Sequence, residues 1–110
     1  FLPDYVKVIG VEPAESPLLT NGKYGPHKIQ GIGANFVPEI TNFSEMDRII
    51  TVESDRALAE AKEVAIEKGI SIGISAGANL VAAKEILREN PDKIIVSIVP
   101  DSADRYFSVL

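Results

Sequence analysis

Three stretches of this 110-residue chain carry residue types at spacings that suit chemistry. The first is Gly25-Pro26-His27-Lys28-Ile29-Gln30-Gly31-Ile32-Gly33-Ala34. Closely spaced glycines let backbone approach a ligand with no Cβ in the way, so Gly31-Ile32-Gly33 could set amides and carbonyls against a flat molecule. The dinucleotide fingerprint is excluded, because it needs a third glycine where Phe36 stands and a helix that Pro38 would break. The same composition also suits a turn-rich surface loop. His27 is the sole histidine. No Ser or Asp sits at a recognisable spacing to make it a general base, and no second ligand makes it a metal site. The expectation is that it hydrogen-bonds backbone and orders the loop.

The second stretch is Gly73-Ile74-Ser75-Ala76-Gly77-Ala78-Asn79, where a strand gives way to a helix. Ligands of open α/β sheets sit at the carboxyl ends of strands, and a helix start offers free amides and partial positive charge. Ser75 therefore either faces a ligand or caps the helix by accepting from the Ala78 amide. The spacing Gly73, Ser75, Gly77 fits the nucleophile elbow of hydrolases, but no histidine follows Gly77, so no triad is completed within the chain. The third stretch is Pro100-Asp101-Ser102-Ala103-Asp104-Arg105-Tyr106. Asp101 suits a turn cap and Asp104 with Arg105 a surface pair, while the position after a strand marks the border of a site.

The elements that would position these stretches alternate. Residues 6–11 and 48–52 read as strands, the former nearly continuous in apolarity as in a sheet covered on both faces. Ser54 suits the cap of a helix over 55–68 that Lys68 and Gly69 close. A strand over 70–74, a helix over 76–90 stopped by Pro91, and a strand over 94–99 follow. The segment from Glu12 to Pro38, punctuated by Pro13, Pro17, Gly22, Gly25, Pro26, Gly31 and Gly33, is too long for a simple connector, and function is expected to border it. The fold class is α/β, a mostly parallel sheet with flanking helices. A parallel sheet needs helices on both faces, and two helices can cover only one face of four strands well. Ala57, Ala59, Ala61, Ala65, Ala76, Ala78, Ala82 and Ala83 also point to helices pressed between other elements. The expectation is therefore a fragment of a larger α/β domain whose other strands precede Phe1.

Bulk properties narrow the classes. Eleven basic against sixteen acidic residues leave a net charge of −5, which disfavours nucleic acid and anionic membranes as partners. Hydrophobic residues at 45% and charged residues at 25% exclude disorder for most of the chain. The absence of cysteine removes disulfides, thiolate metal sites and cysteine nucleophiles. No apolar run reaches the length of a bilayer span and no signal peptide is visible, so a cytoplasmic location is expected.

Together the first two stretches, Pro100-Asp101-Ser102 and Val8-Ile9-Gly10-Val11-Glu12-Pro13-Ala14-Glu15-Ser16-Pro17 closely resemble the cysteine synthase (O-acetylserine sulfhydrylase) family, in order from about Lys7 to Ser108. The resemblance implies the large domain of a fold-type II enzyme dependent on pyridoxal 5'-phosphate, of which residues 1–110 form a carboxy-terminal part with no second domain. It implies that the parent makes cysteine and acetate from O-acetylserine and sulfide. Ser75 would then face the pyridine nitrogen of the cofactor and Pro100 would form a wall near the ring. Gln30, Gly31, Ile32, Gly33 and Ala34 would line the substrate side of the active-site mouth, and His27 would have no catalytic role. None of Lys7, Lys23, Lys28, Lys62, Lys68, Lys84 or Lys93 stands in the family's Schiff-base lysine motif, so no catalytic residue and no turnover are expected of this stretch alone. Asn35, Ala76 and Ala103 depart from the family's usual glycine, serine and glycine. The resemblance extends to cystathionine β-synthase and phosphoserine sulfhydrylases, and it implies a homodimer and a binding surface for the carboxy-terminal tail of serine acetyltransferase.

Overall fold

Two short β-branched runs meet as a parallel pair in the computed structural model, which describes residues 2–34, 36–100 and 102. Strand β1 is Ile9–Pro13 and β2 is Arg48–Val52, in register from Ile9 opposite Arg48 to Pro13 opposite Val52. β2 falls where the sequence puts it, whereas β1 starts three residues later than expected. The reason is local: the Val6 amide donates to Pro3 O in a turn, and the Val8 amide donates to the Asp47 carboxylate at 2.8 Å. Pro13 ends the strand, as a residue without a donor must, and the Ala14 amide then reaches Val52 O at 2.8 Å.

The long connection between the strands contains helix α1, Leu18–Asn21, and a 3-10 turn, Phe43–Glu45. Buried Glu12 is committed to α1. Its carboxylate accepts from the Leu19 and Thr20 amides at 2.8 Å each and from the Thr20 hydroxyl, which satisfies donors that such a short helix leaves open. Helix α2, Ser54–Lys68, begins one residue before the expected start, with Glu53 in the cap position and Gly69 closing it at φ 67°. Ser54 is thus inside the helix, not its cap. The cap comes from Glu15, 39 residues away, whose carboxylate accepts from the Ser54 amide at 2.9 Å and from the Ser54 hydroxyl at 2.9 Å. The same hydroxyl accepts from the Lys28 amide at 3.0 Å, so one serine pins both the first strand's exit and the glycine loop to α2.

Burial pushes the Glu15 carboxyl up, but the hydrogen bonds from Ser54 outweigh it and hold the group below its ordinary 4.5. A lowered folded value means that the cap's contribution is complete above the unfolded value and fades as pH falls through the folded one. Glu15→Ala is expected to cost about 1 kcal/mol near neutral pH, the usual size of a lost helix cap. Urea midpoints of parent and variant should converge as the pH is taken below about 4.

Helix α3, Ile74–Glu89, starts two residues earlier than the expected 76 and ends at the Asn90 cap. Among the described residues only β1 and β2 pair, so the apolar segments 70–74 and 94–99 are not strands here. Strand-forming residues need a ladder partner, and Ile94, Val96 and Ile98 instead stand 94%, 89% and 70% exposed. The core lies between the strands and the helix pair: Ile29, Ile50, Val52, Ala57, Ile74, Ala78 and Ala82 form its main cluster. Small residues bring α2 and α3 together, with Ala57, Ala61, Ala76, Ala78 and Ala82 buried, although Ala59 and Ala65 face outward. At the contact a Cβ on Gly77 would lie 2.2 Å from Ala57 O. Lys84 crosses from α3 to within 2.6 Å of buried Glu60 on α2, and this contact holds the ammonium above its ordinary range.

Candidate cofactor and substrate site

The glycine loop is anchored from below and left open above. Ile29 is fully buried in the main core cluster together with Ile74 and Ala78, and Ile32 packs against that cluster from the side. These apolar contacts set the loop against the start of α3, which brings two of the three chemistry-bearing stretches together. Gly31 at φ 95° and Gly33 at φ 66° occupy left-handed conformations that a side chain would strain. Among the described residues, the amides of Gln30, Gly31, Ile32, Gly33 and Ala34 donate to no group in the chain. Unpaired backbone donors in a glycine-rich turn are a ready binding surface for a carbonyl or an anion. A pocket of about 290 Å³ opens beside them, walled by Val11, Leu18 and Leu19 on one side and by Phe36 and Pro38 on the other.

His27 holds the loop as the sequence suggested. Its Nδ1 accepts from the Ile29 amide at 3.1 Å and its Nε2 lies 3.0 Å from Gly33 O. No metal cluster of His, Cys, Asp or Glu exists among the described residues.

Ser75 is the second residue of α3, and Gly73 holds the cap position with no side-chain cap at all. The capping alternative for Ser75 is therefore not what the structure has. Its side chain is 4% exposed and does not line the pocket beside the loop. Before the third stretch, the side-chain amide of Asn79 donates to Ile98 O at 2.9 Å. That bond, between α3 and the segment leading to Pro100, places exposed Pro100 two residues beyond a point fixed to the helix. Asp101, Ala103, Asp104, Arg105 and Tyr106 of that stretch, and Asn35 of the loop, lie outside the described residues.

Two organising residues escape the sequence reading. Asn79 stands in a motif chosen for other reasons, and an amide side chain early in an apolar helix was its only signal. Glu15 had none, since its partner Ser54 is distant in the chain.

Among the described residues no helix is long and apolar enough to cross a membrane. The profile described as "Pyridoxal-phosphate dependent enzyme" matches residues 2–101. Cysteine synthase B of Campylobacter jejuni subsp. jejuni is 50% identical over 103 residues, which cover 94% of this chain and 34% of that protein. The structure of a cysteine synthase from Entamoeba histolytica superposes with a TM-score of 0.94 at 40% identity, over 97% of this chain and 32% of that one. An O-acetylserine dependent cystathionine beta-synthase from Helicobacter pylori superposes with a TM-score of 0.86 at 36% identity, over 94% of this chain and 34% of that one. The chain thus spans about a third of the length of the relatives it matches. Its strand pair, helix pair and glycine loop are shared with solved fold-type II enzymes over nearly its whole length, and the chain belongs to the pyridoxal-phosphate dependent enzyme family.

Proposed function

We propose that the chain is the carboxy-terminal part of the large domain of a cysteine synthase, an enzyme that makes L-cysteine and acetate from O-acetyl-L-serine and sulfide. The observation that carries this reading is the junction of the glycine loop with the start of α3. Free loop amides and an uncapped helix start meet there, joined through Ile29 and Ile74. These residues fit pyridoxal 5'-phosphate. A small hydroxyl at the second position of an uncapped helix suits a ring nitrogen, because it shares a hydrogen bond without adding charge.

When bound, that cofactor supplies the electron sink for bond breaking at the substrate's β-carbon. Ser75 would present its neutral hydroxyl to the ring nitrogen, a partner that adds no charge and so suits loss of the β-substituent over deeper carbanion chemistry. Pro100 would form a wall near the ring. Gln30, Gly31, Ile32, Gly33 and Ala34 orient the substrate with backbone donors, at no cost of bringing extra charge into the mouth. The anchoring lysine belongs to another part of the enzyme, so the 110 residues alone should neither hold the cofactor covalently nor turn over substrate. In the intact enzyme this reading includes a cytoplasmic homodimer whose mouth loop also receives the tail of serine acetyltransferase.

The test is a comparison of O-acetylserine, O-phosphoserine and serine, each with sulfide, on the complete enzyme. O-Acetylserine should win in kcat/KM by at least about tenfold. The Helicobacter pylori likeness favours one second reading, a cystathionine β-synthase that also uses O-acetylserine. Replacing sulfide by homocysteine separates the two: a faster reaction with homocysteine would move the assignment.

A further inference from the structure

We infer that His27 is a positioning residue for the substrate loop, a two-ended latch whose neutral imidazole, protonated at Nε2, fixes Gln30 to Ala34 in its binding conformation. The inference rests on the proposed function for its meaning, but its geometry stands apart from it.

The tautomer follows from the partners. An amide can only donate, so Nδ1 must accept from the Ile29 N–H at 3.1 Å and carries no proton. A carbonyl can only accept, so Nε2, 3.0 Å from Gly33 O, must carry one. No other neutral side chain offers an acceptor and a donor at opposite corners of one rigid ring. The two bonds grip residues on either side of Gln30, Gly31 and Ile32, so a single imidazole closes the base of the turn. Shape enforces the same arrangement: a Cβ on Gly33 would lie 2.5 Å from His27 Nε2 and 2.8 Å from Pro13 Cγ. Glycine at 33 is therefore required twice, once for its backbone angle and once to let the ring sit against it.

The latch also sorts the loop's polar groups. With Gly33 O turned onto the imidazole, the carbonyl is spent inside the protein, while the amides of Gln30 to Ala34 stay unpaired among the described residues. The loop thus keeps its amide donors available while this carbonyl is occupied. Without His27 the loop would sample other conformations, and the substrate would have to select the binding one; this cost falls on binding rather than on the chemical step.

The test uses the complete holoenzyme. His27→Ala should raise the KM for O-acetylserine on the order of tenfold, with kcat changed by less than about threefold and the melting midpoint retained. Hydrogen exchange at the Ile29 amide should quicken in the same variant. His27→Asn separates the two ends, because a short carboxamide can accept from the amide two residues on but cannot reach Gly33 O. It should keep Ile29 protected and still raise KM about threefold. Nitrogen-15 histidine spectra should show Nε2–H for the resonance that His27→Asn removes. A folded His27→Ala enzyme with parental KM, a His27→Asn enzyme indistinguishable from the parent, or an Nδ1–H tautomer would each overturn the inference. If the parent enzyme does not act on O-acetylserine, the functional reading fails instead, and Ile29 exchange and the tautomer still decide the latch.

Discussion

Gly77→Ala lowers the free energy of unfolding by about 3 kcal/mol, at the upper end of what overpacking a tight core costs. The added methyl would lie 2.2 Å from Ala57 O and 3.3 Å from the Ala61 amide nitrogen, and both neighbours are backbone of α2. Backbone inside a helix cannot rotate away as a side-chain tip can, so the two helices must separate. Separation would loosen the contacts of Ala57, Ala61, Ala76 and Ala78, all buried at this crossing. Alanine is the better helix former by roughly 1 kcal/mol, but that gain is smaller than the clash and does not reverse the sign. The measurement is a urea or thermal midpoint on the complete enzyme; a midpoint equal to or above the parent's would show that α2 and α3 are not packed as described.

Ser75→Asp is expected to lower turnover on the order of a hundredfold, the scale seen when one hydrogen-bonding group at a reacting centre changes character. A circular-dichroism melt of the variant separates lost chemistry from lost folding, since Ser75 is buried. Position 75 is the second residue of α3, and a carboxylate there meets the positive end of the helix dipole and free amides. On the proposed reading the damage is chemical: an aspartate would hold a proton on a ring nitrogen that a serine hydroxyl would leave bare. Ser75→Ala keeps the surroundings neutral and should lose tenfold or less. Steady-state rates with O-acetylserine and sulfide, together with the absorbance of bound cofactor, distinguish lost chemistry from lost binding. A parental rate in Ser75→Asp would remove Ser75 from the cofactor's surroundings.

What could be read from the chain divides along physical lines. β2, α2 and α3 are legible to within two residues because their signals are local: β-branched runs, apolar spacing, the left-handed Gly69 stop. The start of β1 is not, because Asp47 and a turn at Pro3 take the donors of Val8 and Val6. The cap of α2 is misassigned by one residue for the same reason. A serine before a helix looks like a cap, and only the fold brings Glu15 close enough to take that role. Segments 70–74 and 94–99 carry strand composition without a strand, since composition records a preference and pairing requires a neighbour. In the candidate site, the glycine loop and Ser75 stand out as motifs, and His27 binds backbone as its lack of a catalytic partner suggests. The second residue it grips, six positions on, was not visible, because left-handed glycines bend the chain back by an amount that spacing does not encode.

Ile94, Val96 and Ile98 present an alternating apolar row that the rest of these 110 residues leaves uncovered. Among the described residues the amides of this apolar stretch have no backbone partner, and such a segment is open to pairing with a β-edge. Asn79 tethers one carbonyl of the segment at Ile98 and leaves the stretch around Ile94 without that restraint. A partner edge laid along this stretch would cover Ile94, Val96 and Ile98, and where none is supplied crowding favours association between chains.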